Sequence, residues 1–268
     1  MKIGSVIFQA SNVVAVIAVL TMNTLVNLLP LNGVTTAQVS DSYPNLFTPP
    51  GYVFSIWSVI YAFAVAFMFY QARPSERSKA YLRQINFLYP VSALANISWL
   101  FIFQYSYGDP QLLVFSLIPM IVLLLCLLLM YHRLGIGRVE APRNETLVVH
   151  LSISVYLGWI SLAIIANIAS VLNVLIPNIP MATQALWTVV VLVLALLITS
   201  LMVWTRRDFM FGLVVVWASI GITLNRVTIP AIFVTAAATA GTVVILVLAT
   251  PFVKKIGFAR FYMMSSGR

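Results

Sequence analysis

The sequence predicts an all-α polytopic membrane protein with about eight transmembrane helices, and three observations predict it. First, 62% of the 268 residues are hydrophobic and only 8% are charged, where soluble globular chains run at roughly 45–50% and 25%. Second, apolar runs of about 20 residues, the length that crosses a bilayer core as a helix, recur along the whole chain. They do not alternate with the period of two that barrel strands require; Ile121 to Met130 contains no polar side chain. Third, the basic residues fall almost wholly on alternate connections between these runs.

The spans are read at 5–29, 51–71, 86–106, 111–131, 147–172, 183–204, 209–225 and 229–252. The first follows Met1-Lys2 but is too long for a signal-peptide core of about 7–15 residues, so it is read as a retained helix. Prolines mark the breaks: Pro30, Pro49-Pro50, Pro74, Pro110, Pro142, Pro177, Pro180 and Pro230. Pro90 and Pro119 fall inside the third and fourth spans, where neighbouring helices re-satisfy freed backbone groups. The seventh span is the shortest.

With eight spans, one side of the membrane receives both termini and the second, fourth and sixth connections. That side carries Lys2; Arg73, Arg77, Lys79 and Arg83; Arg133, Arg138 and Arg143; Arg206 and Arg207; and Lys254, Lys255, Arg260 and Arg268. The other carries Arg226 alone, a division of fourteen to one. Lys and Arg are retained on the cytoplasmic side of short loops, so the expectation is cytoplasmic N- and C-termini, in a plasma membrane. The formal charge of +9 is thus read as topology and attraction to the lipid bilayer's anionic headgroups. No stretch outside the apolar runs is long enough to fold a nucleic-acid-binding domain, so no nucleic-acid partner is expected. Arg226 is read as snorkelling to headgroups or guarding an outer opening.

The sequence offers little for catalysis. Asp41, Glu76, Asp109, Glu140, Glu145 and Asp208 all fall in loops or at span ends. Ion-coupled carriers and proton pumps usually place carboxylates within the membrane, so that class is disfavoured. Cys126 is the only cysteine, which excludes a disulfide scaffold. His132 and His150 lie near the ends of spans four and five, as interfacial and packing residues or as a ligand pair. No phosphate-binding glycine loop, HExxH or CxxC occurs. No enzymatic activity is expected.

Three spans carry a different kind of face, since offsets of 3, 4, 7 and 11 share one side of a helix. Phe54, Trp57 and Tyr61 obey that spacing; so do Asn96, Trp99 and Phe103; so do Tyr156, Trp159, Ala163 and Asn167. Interfacial belts account for some membrane aromatics, but Trp99 and Trp159 sit well inside their spans. The stripes fit helix packing glued by amides, and equally a shared pocket with aromatic walls and a few polar contacts.

Specific segments carry a family resemblance. Tyr156-Leu157-Gly158-Trp159-Ile160-Ser161-Leu162-Ala163, continuing to Asn167, resembles the YLxWxSxAxxxN run in the fifth helix of the TspO/MBR family of translocator and tryptophan-rich sensory proteins. Asn96-Ile97-Ser98-Trp99 resembles its NxxW in helix three, and Pro49-Pro50-Gly51-Tyr52-Val53-Phe54 its PPGWVF. Trp57 and Tyr61 are similar to its WxxxY. Ser55-Ile56 stand where the family usually has glycine-proline, and no Tyr or Arg follows Asn167 as in its sterol-recognition element.

The resemblance covers about residues 5–172. It implies a five-helix bundle over 1–172, with 173–268 a three-helix extension ending in a basic tail. It also implies a cavity between helices, covered by the first loop. Pro49 and Pro50 would shape that lid, Trp57, Trp99 and Trp159 would stack on the ligand, and Asn96 and Asn167 would supply polar contacts or brace helices. No cofactor is required; the implied ligand is a flat apolar molecule, tetrapyrrole-like or sterol-like.

Porphyrin transport, sensing and degradation have all been proposed for the family, so fold does not settle activity. The leading expectation is a receptor or carrier for a small apolar ligand. The alternatives are an ion-independent transporter of a small neutral solute, and a structural or regulatory membrane partner with no ligand. Ala237 and Gly241 form a small-residue face suited to close helix contact, including a homo-oligomer.

Overall fold

The computed structural model describes residues 3–254, so Lys2, Lys255, Arg260 and Arg268 of the basic set lie outside the described residues. Eight long helices follow the eight apolar runs: α1 (Ile3–Leu28), α2 (Ile56–Ala72), α3 (Leu88–Tyr105), α4 (Pro110–Arg133), α5 (Leu151–Leu175), α6 (Met181–Arg206), α7 (Phe209–Asn225) and α8 (Pro230–Val253). Six helical stretches are long and apolar enough to cross a membrane by length and composition, namely those containing α1, α2, α4, α5, α6 and α8. The other two, α3 and α7, have 18 and 17 residues. The chain is an all-α multi-pass membrane protein.

Local chemistry sets the ends. Asp109 and Asp208 cap α4 and α7, their carboxylates accepting from the Gln111 and Phe211 backbone N–H groups at 3.2 and 3.0 Å. The third span starts later than the apolar pattern predicts. A short helix, Ala80–Ile85, ends at Asn86, whose φ of 41° stops it; asparagine tolerates this region better than most residues. Pro90 therefore falls in the first turn of α3, where its missing N–H costs nothing. Only Pro119 and Pro251 interrupt long helices from within.

α5 is the central post: 72% of its most apolar stretch is buried inside the protein, against 22–39% for the other five. It packs against α4 and α2 on one side and α7 on the other. The core joins Leu157, Trp159 and Ile160 of α5 to Phe211, Val214, Ala218 and Ile222 of α7. Gly158 allows this approach, since a Cβ there would lie 3.2 Å from Val214. One core thus runs through residues on both sides of position 172.

Side-chain bonds to loop carbonyls sort the connections into two ends. At one end, Gln9 Nε2 of α1 donates to the Gln71 and Arg73 carbonyls at 2.5 and 3.0 Å. Arg206 after α6 donates to the Ile136 carbonyl after α4 at 3.2 Å, and Lys254 after α8 donates to the Trp204 carbonyl. At the opposite end, the loop after α1 bonds to the end of α3 and the loop that follows it, to the end of α5, and to the turn after α7, as described below. The chain therefore alternates between ends eight times, as the charge pattern requires. The described basic residues of the second, fourth and sixth connections gather at the first end, and Arg226 lies at the second.

Candidate functional site

The loop between α1 and α2 is a folded lid. Its short helix, Thr36–Asp41, opens with a capping box between Thr35 and Gln38. Gln104 Nε2 of α3 donates to the Leu31 carbonyl at 2.9 Å and to that of Val34. Tyr43 donates to the Ser106 carbonyl, and Asn32 to that of Tyr107 at 2.9 Å. Asn45 organises the next stretch. Its Oδ1 accepts from the Phe47 and Thr48 backbone N–H groups at 3.0 and 2.8 Å, and its Nδ2 donates to Ser170 Oγ on α5 at 2.9 Å.

The C-terminal helices hold the lid from the far side. Arg226 Nη2 donates to the Asn45 carbonyl at 2.6 Å and Nε to the Leu46 carbonyl at 3.0 Å. Arg226 thus engages the lid. Trp217 Nε1 of α7 donates to the Val53 carbonyl at 3.0 Å. Gly221 permits that contact, because a Cβ there would lie 2.3 Å from Val53 Cγ2.

Beneath the lid lies a cavity of about 340 Å³, within the usual size range for small-molecule sites. Nine of the twelve sequence-predicted site residues line it: Pro49, Phe54, Trp57, Tyr61, Trp99, Phe103, Trp159, Ala163 and Asn167. Three do not. Pro50 packs toward α7 at Gly221. Asn96 is buried behind the wall, where its Oδ1 accepts from Asn23 Nδ2 at 3.1 Å. Tyr156 sits one layer back, edge-on to Trp57 with ring centroids 6.1 Å apart. Helical spacing places residues on a face but not at a depth, which explains these departures.

The aromatic wall is continuous. Trp57 stacks on Tyr61 (5.6 Å, 24°) and meets Trp159 edge-on (6.2 Å, 81°), and Phe54 meets Trp159 edge-on (5.7 Å, 87°). Across the cavity Trp99 stacks on Phe103 (5.0 Å, 20°). Offset and edge-to-face pairs of this kind fix one another's orientation.

Three polar atoms in this lining are buried without a hydrogen-bond partner: the indole Nε1 groups of Trp99 and Trp159, and Asn167 Oδ1. Asn167 Nδ2 is engaged, donating to Ser116 Oγ at 2.8 Å. Buried donors and acceptors of this type are normally paired. The lining residues thus leave two indole N–H groups and one amide oxygen without a partner, and among the described residues they include no charged side chain.

Several lining residues lie outside the three predicted faces. Asn23 and Asn27 of α1 line the cavity, and their i, i+4 spacing in an apolar span was the clue to them. Ala218 and Ile222 of α7 complete the wall, but an alanine and an isoleucine in a uniformly apolar helix mark no face.

A multi-pass helical membrane protein with an aromatic, charge-free cavity under a folded loop is the class that fold and site define. A sequence model of the family described as TSPO-like protein matches residues 9–249, from α1 into α8. The chain belongs to this TSPO-like family. Comparison with curated proteins and with solved structures gives no significant match.

Proposed function

We propose that the protein is a membrane receptor or carrier that holds a flat, apolar, uncharged ligand in the cavity beneath the lid. The observation that carries this reading is the aromatic, uncharged chamber under the lid, walled by Trp57, Trp99, Phe103 and Trp159. A few polar side chains in the same lining, among them Asn27, Ser58 and Tyr61, offer donors and acceptors to a ligand's polar atoms. Stacking on Trp57 and Trp99 favours planar ring systems of tetrapyrrole or sterol-like character. No residue of the lining suits proton transfer at neutral pH, so the reading is binding or carriage without catalysis.

Titration with protoporphyrin IX should quench tryptophan fluorescence saturably, with affinity lowered about tenfold in Trp99→Ala and Trp159→Ala, in line with losing a stacked aromatic. Saturable quenching indifferent to both substitutions would sink the site. Because the lining offers no cation, the dimethyl ester should bind more tightly than the dicarboxylate. The reading also places the basic end in the cytoplasm. Cysteines at Arg226 and Arg77 should then react with impermeant maleimide from opposite sides of sealed vesicles, Arg77 from the cytoplasmic side.

A further inference from the structure

A second crevice lies directly beside the cavity. It has a volume of about 190 Å³ and is bounded by α5, α6 and the lid. The helices α5 and α6 are consecutive, yet each packs chiefly on other helices, and a gap opens between them near the lid end. The flank of this gap is lipid-type surface: Ile168 is 42% exposed and Trp187 40%. The rest of its lining is mostly apolar, with a few polar side chains, among them two amides at lid level. Asn173 Nδ2 donates to the Pro44 carbonyl at 2.8 Å, and Gln184 Nε2 to the Ile179 carbonyl at 3.1 Å.

The partition between crevice and cavity is thin. Phe47 lines both spaces. Beside it, Asn45 lines the crevice, Ser170 lines the cavity, and the two are joined by their 2.9 Å hydrogen bond. One aromatic ring and one polar pair therefore separate the membrane-facing gap from the aromatic chamber. Both partition residues of the lid belong to the stretch that Arg226 holds by its carbonyls.

The geometry points to the α5–α6 crevice as a lateral portal, through which an uncharged ligand dissolved in the bilayer passes Phe47 into the cavity. The occupant is the same ligand class as the cavity's, so this inference rests on the proposed binding function. The crevice's composition suits such a molecule in transit, because apolar side chains meet its body while amides at lid level meet its polar atoms. Among the described residues no charged side chain lines the crevice or the cavity, so a charged solute would find no countercharge on either wall.

The test uses the full chain carrying Trp187→Phe, reconstituted in lipid nanodiscs, with a bromoflavone as probe. That probe is flat and uncharged, has a carbonyl acceptor, and quenches tryptophan by contact. Ala169, which lines the crevice, is changed to Phe to fill it, and Phe47→Ala removes the partition. The expected result is that Ala169→Phe slows association and dissociation alike by about tenfold while Kd changes little, and that Phe47→Ala speeds both, as a gate demands.

Should Ala169→Phe misfold, Ala169→Cys folded first and then capped with a benzyl thiosulfonate gives the same comparison within one preparation. Saturable quenching with rates unchanged by every variant overturns the portal and leaves the cavity reading intact. Absence of saturable quenching in the parent protein overturns the cavity reading and the portal with it.

Discussion

Asp208 shows how much one side chain can bind together. It lies between α6 and α7, wholly buried, and accepts from Tyr131 and Ser154 at 2.9 and 2.8 Å and from the Phe211 N–H at 3.0 Å. Those donors come from three helices. Burial raises its pKa above the ordinary carboxylate value, and the hydrogen bonds from Phe211, Ser154 and Tyr131 offset only part of the rise. Its folded form therefore holds a proton more readily than its unfolded form. This contribution to stability is greatest below the ordinary value and is lost as pH climbs through the raised one. Thermal unfolding in detergent should show that decline for the parent protein, and Asp208→Asn should flatten it. Asp208→Ala, which leaves all three donors unpaired, should lose about 3 kcal/mol or more at every pH. This role was not legible in the sequence, since an aspartate at a span end reads as a solvated loop residue until the packing of three helices is known.

At the scale of elements, the tightest junction joins the turn after α4 to the end of α6. Gly137 has φ of +75°, and a Cβ there would stand 1.7 Å from the Arg206 carbonyl oxygen. The obstacle is backbone, so it cannot swing aside. Gly137→Ala should therefore cost at least about 2 kcal/mol through strain and displacement together, seen as a lowered unfolding temperature or failure to fold. Gly221→Ala is the contrasting case. Its neighbour is the tip of the Val53 side chain, which can change rotamer, so a smaller loss is expected there. Helix positions were legible in the sequence because apolar length and proline breaks are strong signals in a membrane chain; α7 begins and ends where its apolar run does. The start of α3 was not legible, because the apolar run continues through a turn that only the backbone of Asn86 reveals. The site was legible as three aromatic faces. The covering first loop followed from the family resemblance, but the α7 wall and the bonds that fasten the lid left no local pattern, since contacts such as that between Arg226 and Asn45 join distant segments.

Over the whole molecule, the last three helices act on the first five through the lid. Arg226 Nη2 and Nε fasten it from the α7–α8 turn, and Asn173 fastens it from the end of α5. Charge-assisted hydrogen bonds of this kind contribute roughly 1.5–3 kcal/mol each. Arg226→Ala should therefore raise hydrogen–deuterium exchange across residues 35–50 by tenfold or so without unfolding the helices. Exchange unchanged in that segment would mean that the remaining bonds, among them those of Gln104, Tyr43, Asn173 and Ser170, suffice to hold the lid.

The absence of charged side chains from the described cavity lining has a further consequence, for how the protein responds to an energised membrane. Carrying one elementary charge across 100 mV is worth about 2.3 kcal/mol, and that is how voltage acts on sensors and electrogenic carriers. Here neither the lining nor the proposed ligand bears such a charge, and the Phe47 partition moves none when it swings. Occupancy in polarised proteoliposomes should then be the same at either sign of the membrane potential, set by the ligand's concentration in the lipid and by nothing electrical.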